Sequence, residues 1–301
     1  MPEIALPTER ACALIEAQFP ELAPTRVERL GHGMDNNGFR VNEVFVFRFP
    51  QRAVAVPLIE REMRLLPCIA SALPLPIPVP RYMGTPSEGY PWPFEGHAYL
   101  AGTTACSTPL TGDDRFELAR SLGTFLRALH AIDPGASLER GLPRDEIGRL
   151  DHAKRLPLAT ERLLKLERLG VVSGANALLE TMRAIAPNDG DFQRLVILHG
   201  DLYARHLLID EHRRLSGIID WGDIHFGHPG VDLAIVFTML PVTAHAEFFE
   251  AYGAVDARTL QLALYRAIYH SALVADFGLE IGDHALAEAG IEGLRFVQRS
   301  A

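Results

Sequence analysis

Lysine is almost missing from this chain. Of 29 basic side chains only Lys154 and Lys165 are lysine, and residues 1–102 contain none. Any task in that stretch that needs a cation falls to arginine. Cysteine is scarce too: Cys12, Cys68 and Cys106 lie far apart and form no C-x-x-C pair. That spacing excludes a disulfide scaffold and a thiolate zinc site, and it is expected of a protein kept in a reducing cytoplasm. Apolar runs stay short. The longest candidate, Val231 to Val242, is interrupted by Asp232 and is far from the ~20 residues of a membrane span, so no membrane partner is expected. Met1-Pro2-Glu3-Ile4 is not a basic segment leading into an apolar block, so no secretory signal is expected either. A positive surplus is also lacking. A net charge of −9 and a pI near 5.7 speak against nucleic acid as a partner.

What is present is a chain of 301 residues, 48% apolar and 22% charged. That is enough for two domains or one two-lobed unit with a substantial core. Residues 8–18 read as a helix with Thr8 as its N-cap. Strand-like runs follow at 26–30, 38–41 and 44–49, with Asn42-Glu43 as a hairpin turn. Ile59, Met63, Leu66, Ala70 and Leu73 recur at helical spacing through 54–73, and Pro67 inside that run predicts a kink or a restart. The proline-rich strip Pro74 to Pro80 is extended by composition. Short strands are expected at 81–83 and 97–100, and Ala101-Gly102 reads as a hinge. Beyond it the texture turns helical, at 113–131, 159–169, 175–186, 230–240, 244–252 and 257–277. A compact β-like stretch lies among these helices, at 195–198, 207–209 and 217–219. The expected fold is α+β, a β-rich lobe over residues 1–100 and a larger, mainly helical lobe over 101–301.

The densest chemical signal runs from Leu195 to Ala234. Two apolar runs each end in an aspartate, Asp201 in His199-Gly200-Asp201 and Asp220 in Ile219-Asp220-Trp221-Gly222. A carboxylate at the end of an apolar run costs desolvation unless it is used or paired. Two of them flanking a hairpin are expected to converge on one site, where one takes a proton and the other a metal ion. That division suits phosphoryl transfer, which rests on positioning and charge neutralisation. His206, five residues after Asp201, can complete a metal shell.

These motifs, H-G-D-x-x-x-x-H followed by I-D-W-G-D, resemble the aminoglycoside and macrolide antibiotic phosphotransferases, relatives of protein kinases. The likeness extends over nearly the whole chain. Gly31-His32-Gly33-Met34-Asp35-Asn36 resembles that family's nucleotide-covering loop. Phe47-Arg48-Phe49-Pro50 resembles its third strand, Ile59-Glu60-Arg61-Glu62-Met63 its lobe helix, and His97-Ala98-Tyr99-Leu100-Ala101-Gly102 its hinge. The resemblance implies a kinase-like two-lobed fold, ATP or GTP as donor, and Mg²⁺ or Mn²⁺ as the ion. Asp201 would be the catalytic residue, accepting the acceptor's proton. Gly31, Gly33, Asn36, Arg48, Glu62, Tyr99 and Leu100 would bind nucleotide, Arg48 pairing with Glu62, and His206 and Asp220 would hold the metal. Asp232 would brace its lobe. Arg48 stands where most of the family has lysine. It keeps the charge and adds a bidentate fork, and Arg40 and Arg52 are its rivals for the task. His206 stands where many members have asparagine. Imidazole suits Mn²⁺ better than Mg²⁺, and histidine there is a trait of the macrolide branch.

The expected protein is a monomeric phosphotransferase acting on a small-molecule hydroxyl, a macrolide ahead of an aminoglycoside or a metabolite alcohol. A nucleotide-binding module with little catalysis is the alternative that the Arg48 substitution keeps open. A metal hydrolase built on His199, Asp201, His206 and His225 lacks a recognised ligand spacing. His225 and His228 flank a Gly/Pro turn and read as solvated loop histidines, and His199 as structural. Phe237, Phe248, Phe249, Tyr252, Tyr265, Tyr269 and Phe277 fall at helical spacings and read as core, with a few expected to line the acceptor site. Residues 103–301 carry 20 basic and 27 acidic side chains, a balance that suits a cationic acceptor or ordinary solubility.

Overall fold

The computed structural model describes residues 4–32, 35–135 and 141–300. The chain divides into two compact units. The first gathers residues 1–71, 76–101 and 219–223, and the second residues 72–75, 102–218 and 224–301.

The first unit is a five-stranded antiparallel sheet with a helix against it. Its elements are α1 (Thr8–Gln18), β1 (Val27–His32), β2 (Asn36–Val41), β3 (Phe45–Pro50), α2 (Val56–Ile69), β4 (Pro80–Gly84) and β5 (Phe94–Ala98), with strand order β1-β2-β3-β5-β4. Alternation makes the sheet. Asn37, Phe39 and Val41 of β2, and Phe47 and Phe49 of β3, turn inward, as period-2 side chains must. They pack with Tyr90, Trp92 and Phe94 and with Ala11, Leu14 and Ile15 of α1. The β2–β3 turn is the expected one: Asn42 (φ 49°) and Glu43 (φ 63°) are both left-handed, which matches the twist of the strands they join. Gly96 faces Phe47 across the ladder, and a Cβ there would come within 2.5 Å of the ring.

Two local expectations change. The residue at the cap position of α1 is Pro7, which makes no side-chain cap, and Thr8 is already helical. Helix α2 neither breaks nor restarts at Pro67. It runs on to Ile69 and tightens into a short 3₁₀ turn, because a proline in the last turn forfeits only one ladder bond. Its buried stripe is Ile59, Glu62, Leu65, Leu66 and Ile69, so Glu62 faces inward and Met63 of the expected spacing is only half-buried.

The second unit is mainly helical. Its elements are β6 (Thr103–Thr104), α3 (Gly112–His130), α4 (His152–Arg168), α5 (Ala175–Ile185), β7 (Val196–Leu198), β8 (Leu207–Ile209), β9 (Leu215–Ile218), β10 (His225–Gly227), α6 (Gly230–Met239), α7 (His245–Tyr252), α8 (Ala257–Ile281) and α9 (His284–Ser300). Strands β6, β8 and β9 form one antiparallel sheet, and β7 pairs with β10. Helix α4 starts earlier than its spacing suggests, at His152, because Asp151 accepts the Lys154 N–H at 3.1 Å and caps it. Helix α9 is wholly unanticipated. Its inner face includes Ala287, Gly290 and Gly293, and a Cβ on Gly290 would overlap the backbone of Ala275 in α8. The small residues let the two helices touch at the backbone, and Leu286, Ile291, Leu294 and Val297 supply the apolar stripe of the same face. Among the described residues no helix is long and apolar enough to cross a membrane.

Candidate active site

In the first unit the sequence-derived residues meet around Arg48. Its position in mid-β3 faces Gly38 on one side and Glu95 on the other. The guanidinium forks onto Glu62 of α2: Nη1 donates to Oε2, and Nη2 donates to Oε1 at 3.1 Å. Asp220 Oδ1 lies 3.7 Å from Nη2, and Glu95 Oε1 lies 3.8 Å from Nη1. Glu62 and Glu95 are fully buried, whereas half of the Asp220 side chain is exposed (54%). His97 Nδ1 is 3.0 Å from Glu95. Burial works against the Arg48 charge, but Glu62, Asp220 and Glu95 hold its pKa above the usual arginine value. Burial pushes Glu62 up, to about 7, with the guanidinium pulling the other way.

Asp220 arrives on the segment Ile219–Asp223, with Trp221 fully buried behind it. Its φ of 65° is a conformation that aspartate tolerates better than most residues. A Cβ on Gly222 would come within 3.3 Å of Glu62 Oε1, so the chain passes close to the ion pair. The rivals of Arg48 are engaged elsewhere. Arg40 stacks on Tyr99 at 4.3 Å and donates to the Glu43 carbonyl, and Arg52 pairs with Asp35.

Among the other expected nucleotide residues, Gly31 lies in β1 and Asn36 opens β2, where its Oδ1 is buried with no hydrogen-bond partner among the described residues. Tyr99 N–H donates to the Val44 carbonyl at 2.8 Å and prolongs the β3–β5 ladder, and Leu100 is half-buried. Gly33 lies outside the described residues.

In the second unit, β7 delivers His199, Gly200 and Asp201. Gly200 has φ 86°, a turn that favours glycine. Asp232, fully buried in the first turn of α6, accepts the N–H of His199 at 2.8 Å and of Gly200 at 2.9 Å, with His130 Nε2 at 3.4 Å. It braces the loop without reaching outward. Arg149 Nε donates to the Gly200 carbonyl at 2.7 Å, and the Asp201 N–H donates to His199 Nδ1 at 3.2 Å.

The Asp201 side chain is 28% exposed. Its Oδ1 lies 3.1 Å from His270 Nε2 and 3.7 Å from Arg266 Nη2, both on α8. Its Oδ2 lies 3.8 Å from His206 Nδ1. Burial alone would raise this acid. The hydrogen bond from His270, with the charges of His270, His206 and Arg266, outweighs burial and holds it well below the usual carboxylate range. His206 Nδ1 donates to the Asp201 carbonyl at 2.7 Å, which puts the lone pair of the neutral ring on Nε2. Burial, then the Arg266 charge, depress His270, and burial, then Arg149, bring Arg266 down to about 10.

Arg266, His270 and Arg149 carry no motif. Their signal is weak but present: Arg266 and His270 stand four apart in a run of otherwise buried, mostly apolar helix, where a polar side chain must have a partner. His225 and His228 correct an expectation. Both are buried, not solvated; His225 sits in β10 paired with Leu198, and His228 Nδ1 accepts the Gly230 N–H at 3.1 Å. Among the described residues no three His, Cys, Asp or Glu side chains form a metal-holding group.

Comparison with known proteins adds the remaining finding. The family model described as "Phosphotransferase enzyme family" matches residues 26–268. The uncharacterized protein YcbJ of Bacillus subtilis (strain 168) is 24% identical over 143 residues, which cover 47% of this chain and 44% of that protein; the chain thus matches under half the length of this curated relative. Among solved structures, the GDP complex of wild-type aminoglycoside 2'-phosphotransferase-IIIa aligns with a TM-score of 0.68 at 23% identity, covering 97% of each chain. Macrolide 2'-phosphotransferase type I aligns with 0.61 at 23%, covering 96% and 97%. A macrolide 2'-phosphotransferase from Brachybacterium faecium aligns with 0.57 at 24%, covering 90% and 91%. At these identities the solved structures share the kinase-like α+β fold.

Proposed function

Given that the chain belongs to the phosphotransferase enzyme family, we propose that it moves the γ-phosphoryl group of ATP or GTP to a hydroxyl of a small molecule. Asp201 orients the hydroxyl and takes its proton while the oxygen–phosphorus bond forms and the bond to the departing nucleoside diphosphate breaks. The observation that carries this reading is the state of Asp201. It is an ionised, partly open carboxylate on a loop whose backbone Asp232 and Arg149 lock in place, which is what positioning catalysis requires.

Arg48, held charged and aimed by Glu62, contacts the nucleotide phosphates. Gly31, Asn36, Tyr99 and Leu100 hold the rest of the nucleotide, and Asn36 Oδ1, buried with no partner among the described residues, marks one donor-seeking position. A divalent ion neutralises the phosphate charge when bound. Mg²⁺ sites of this kind use one or two protein groups, with phosphate and water completing the shell. The half-exposed Asp220 carboxylate and the fixed tautomer of His206 fit that role, and the imidazole tilts the preference toward Mn²⁺. Histidine at position 206 also supports a macrolide as acceptor ahead of an aminoglycoside or a metabolite alcohol. Three free cysteines support a cytoplasmic site of action.

The test is diphosphate release measured with both nucleotides across macrolides, aminoglycosides and metabolite alcohols. Asp201→Asn is expected to abolish turnover nearly completely and to leave nucleotide affinity close to normal. A variant that keeps more than a tenth of the wild-type rate overturns the role of Asp201. Nucleotide-linked stabilisation with no transfer to any acceptor would favour a binding module instead.

A further inference from the structure

We propose that His270, with Arg266 one turn before it on α8, is a positioning residue for Asp201: its ring holds one carboxylate oxygen so that the other is presented to the acceptor hydroxyl. This rests on the catalytic role of Asp201 proposed above.

The two oxygens of Asp201 have different surroundings. Oδ1 takes His270 Nε2 at 3.1 Å and Arg266 at 3.7 Å, whereas Oδ2 lies 3.8 Å from His206 Nδ1. That His206 nitrogen donates to the main-chain carbonyl of Asp201 at 2.7 Å. An ionised carboxylate only accepts, so the proton of the shared bond belongs to His270 Nε2. The ring itself is fixed. His270 is 5% exposed, and the ring of Tyr203 lies nearly perpendicular to it with centroids 5.2 Å apart, while the same tyrosine meets His206 at 4.4 Å.

The supporting charge comes from the same helix. Residues four apart share one face of a helix, so α8 brings Arg266 and His270 to Asp201 together. Arg266 is 5% exposed. Leu262, Ala263, Ala267 and Ala272 around the pair are fully buried, and two polar groups in such a run cost desolvation unless they serve a partner. Without the clamp the carboxylate can rotate about its own bond, and a displacement near 1 Å at a reacting group costs about 100-fold in rate.

The experiment compares His270→Leu, which fills a similar volume with no donor, with His270→Gln, whose amide can still donate to Oδ1, using the full chain and Asp201→Asn alongside. Diphosphate release is followed with the best acceptor of the panel and with water. His270→Leu is expected to lose roughly 10- to 100-fold in kcat with nucleotide KM nearly unchanged, and His270→Gln to regain part of that loss. Wild-type kcat in His270→Leu, or an equal loss in both variants matched by an equal fall in Tm, would assign the ring to packing and overturn the proposal. A second readout needs no turnover. In ¹⁵N-histidine spectra, the ring signal that His270→Gln removes is expected to show the Nε2-protonated form and to move in Asp201→Asn; an Nδ1-protonated ring would overturn the clamp. If Asp201→Asn itself turns over normally, the catalytic role fails, while the spectrum still decides whether His270 holds that oxygen.

Discussion

Removing Asp232 offers the sharpest test of how the His199–Asp201 loop is held. Its carboxylate is fully buried and accepts two backbone N–H groups, from His199 at 2.8 Å and Gly200 at 2.9 Å, with His130 at 3.4 Å. In Asp232→Ala both N–H groups lose their acceptor inside the core. Each such loss costs ~1–3 kcal/mol, so the expected destabilisation is roughly 2–6 kcal/mol, a large share of the ~5–15 kcal/mol of a typical domain. Asp232→Asn keeps one acceptor oxygen and turns the other into a donor, so it falls between wild type and alanine.

The pH dependence separates charge from shape. Burial alone would raise Asp232, but the hydrogen bond and charge of His130, the charge of His199 and the Gly200 N–H together depress it. A depressed carboxylate stabilises the fold above its unfolded value of ~3.9 and loses that contribution as pH falls through its native value. The gap between wild type and Asp232→Asn is therefore expected to be full at pH 7 and to shrink steadily as pH falls below ~4. Urea unfolding across that range, with hydrogen exchange at residues 199–201, measures it. An Asp232→Ala protein destabilised by less than ~1 kcal/mol, or a gap that does not change with pH, would refute the brace.

The same logic applies to the ion pair of the first unit. Arg48→Met leaves Glu62 buried without its cation and is expected to cost about 3–5 kcal/mol, while Arg48→Lys keeps the charge, loses one arm of the fork and costs less. Because Glu62 sits high, at about 7, and rises further without arginine, the methionine variant is expected to be nearest to wild type at pH 5 and to weaken as pH rises toward 8; thermal unfolding at both values checks the sign. For the ion, His206→Ala is expected to raise the metal concentration needed for half-maximal turnover, and His206→Asn to raise it less. Identical titrations for the three proteins would remove His206 from the metal site.

Much of the fold is legible in the sequence because most of it is written in period. Strands β2 and β3 alternate, and α3, α5, α6, α7 and α8 carry apolar spacing or capping residues close to where they fold. Helix α9 escapes although Leu286, Ile291, Leu294 and Val297 stand at helical spacing, because Gly290 and Gly293 inside the run lower its helix propensity. At the site, Glu62, inside Glu60-Arg61-Glu62, is reached only through the family resemblance, whereas Asp201, Asp220 and Arg48 stand out because each breaks an apolar run with a charge. His270, Arg266 and Arg149 do not, since they reach the Asp201 loop from helices and loops distant in the chain. His225 and His228 mislead for a local reason: the Gly/Pro turn beside them looks solvated, yet pairing with β7 draws it into the interior.

The placement of the two lysines has a practical consequence. Both lie on α4, Lys154 exposed and Lys165 tied to Asp276 and Glu280, and the phosphate-facing position proposed for β3 is a guanidinium. Reagents that acylate side-chain amines, including nucleotide-directed acyl phosphates, would find nothing to modify in the first unit, so activity-based labelling would pass this protein by. The same scarcity makes α4 a ready handle: among side chains, a dye or crosslinker aimed at amines should mark that one helix and leave those of the first unit untouched.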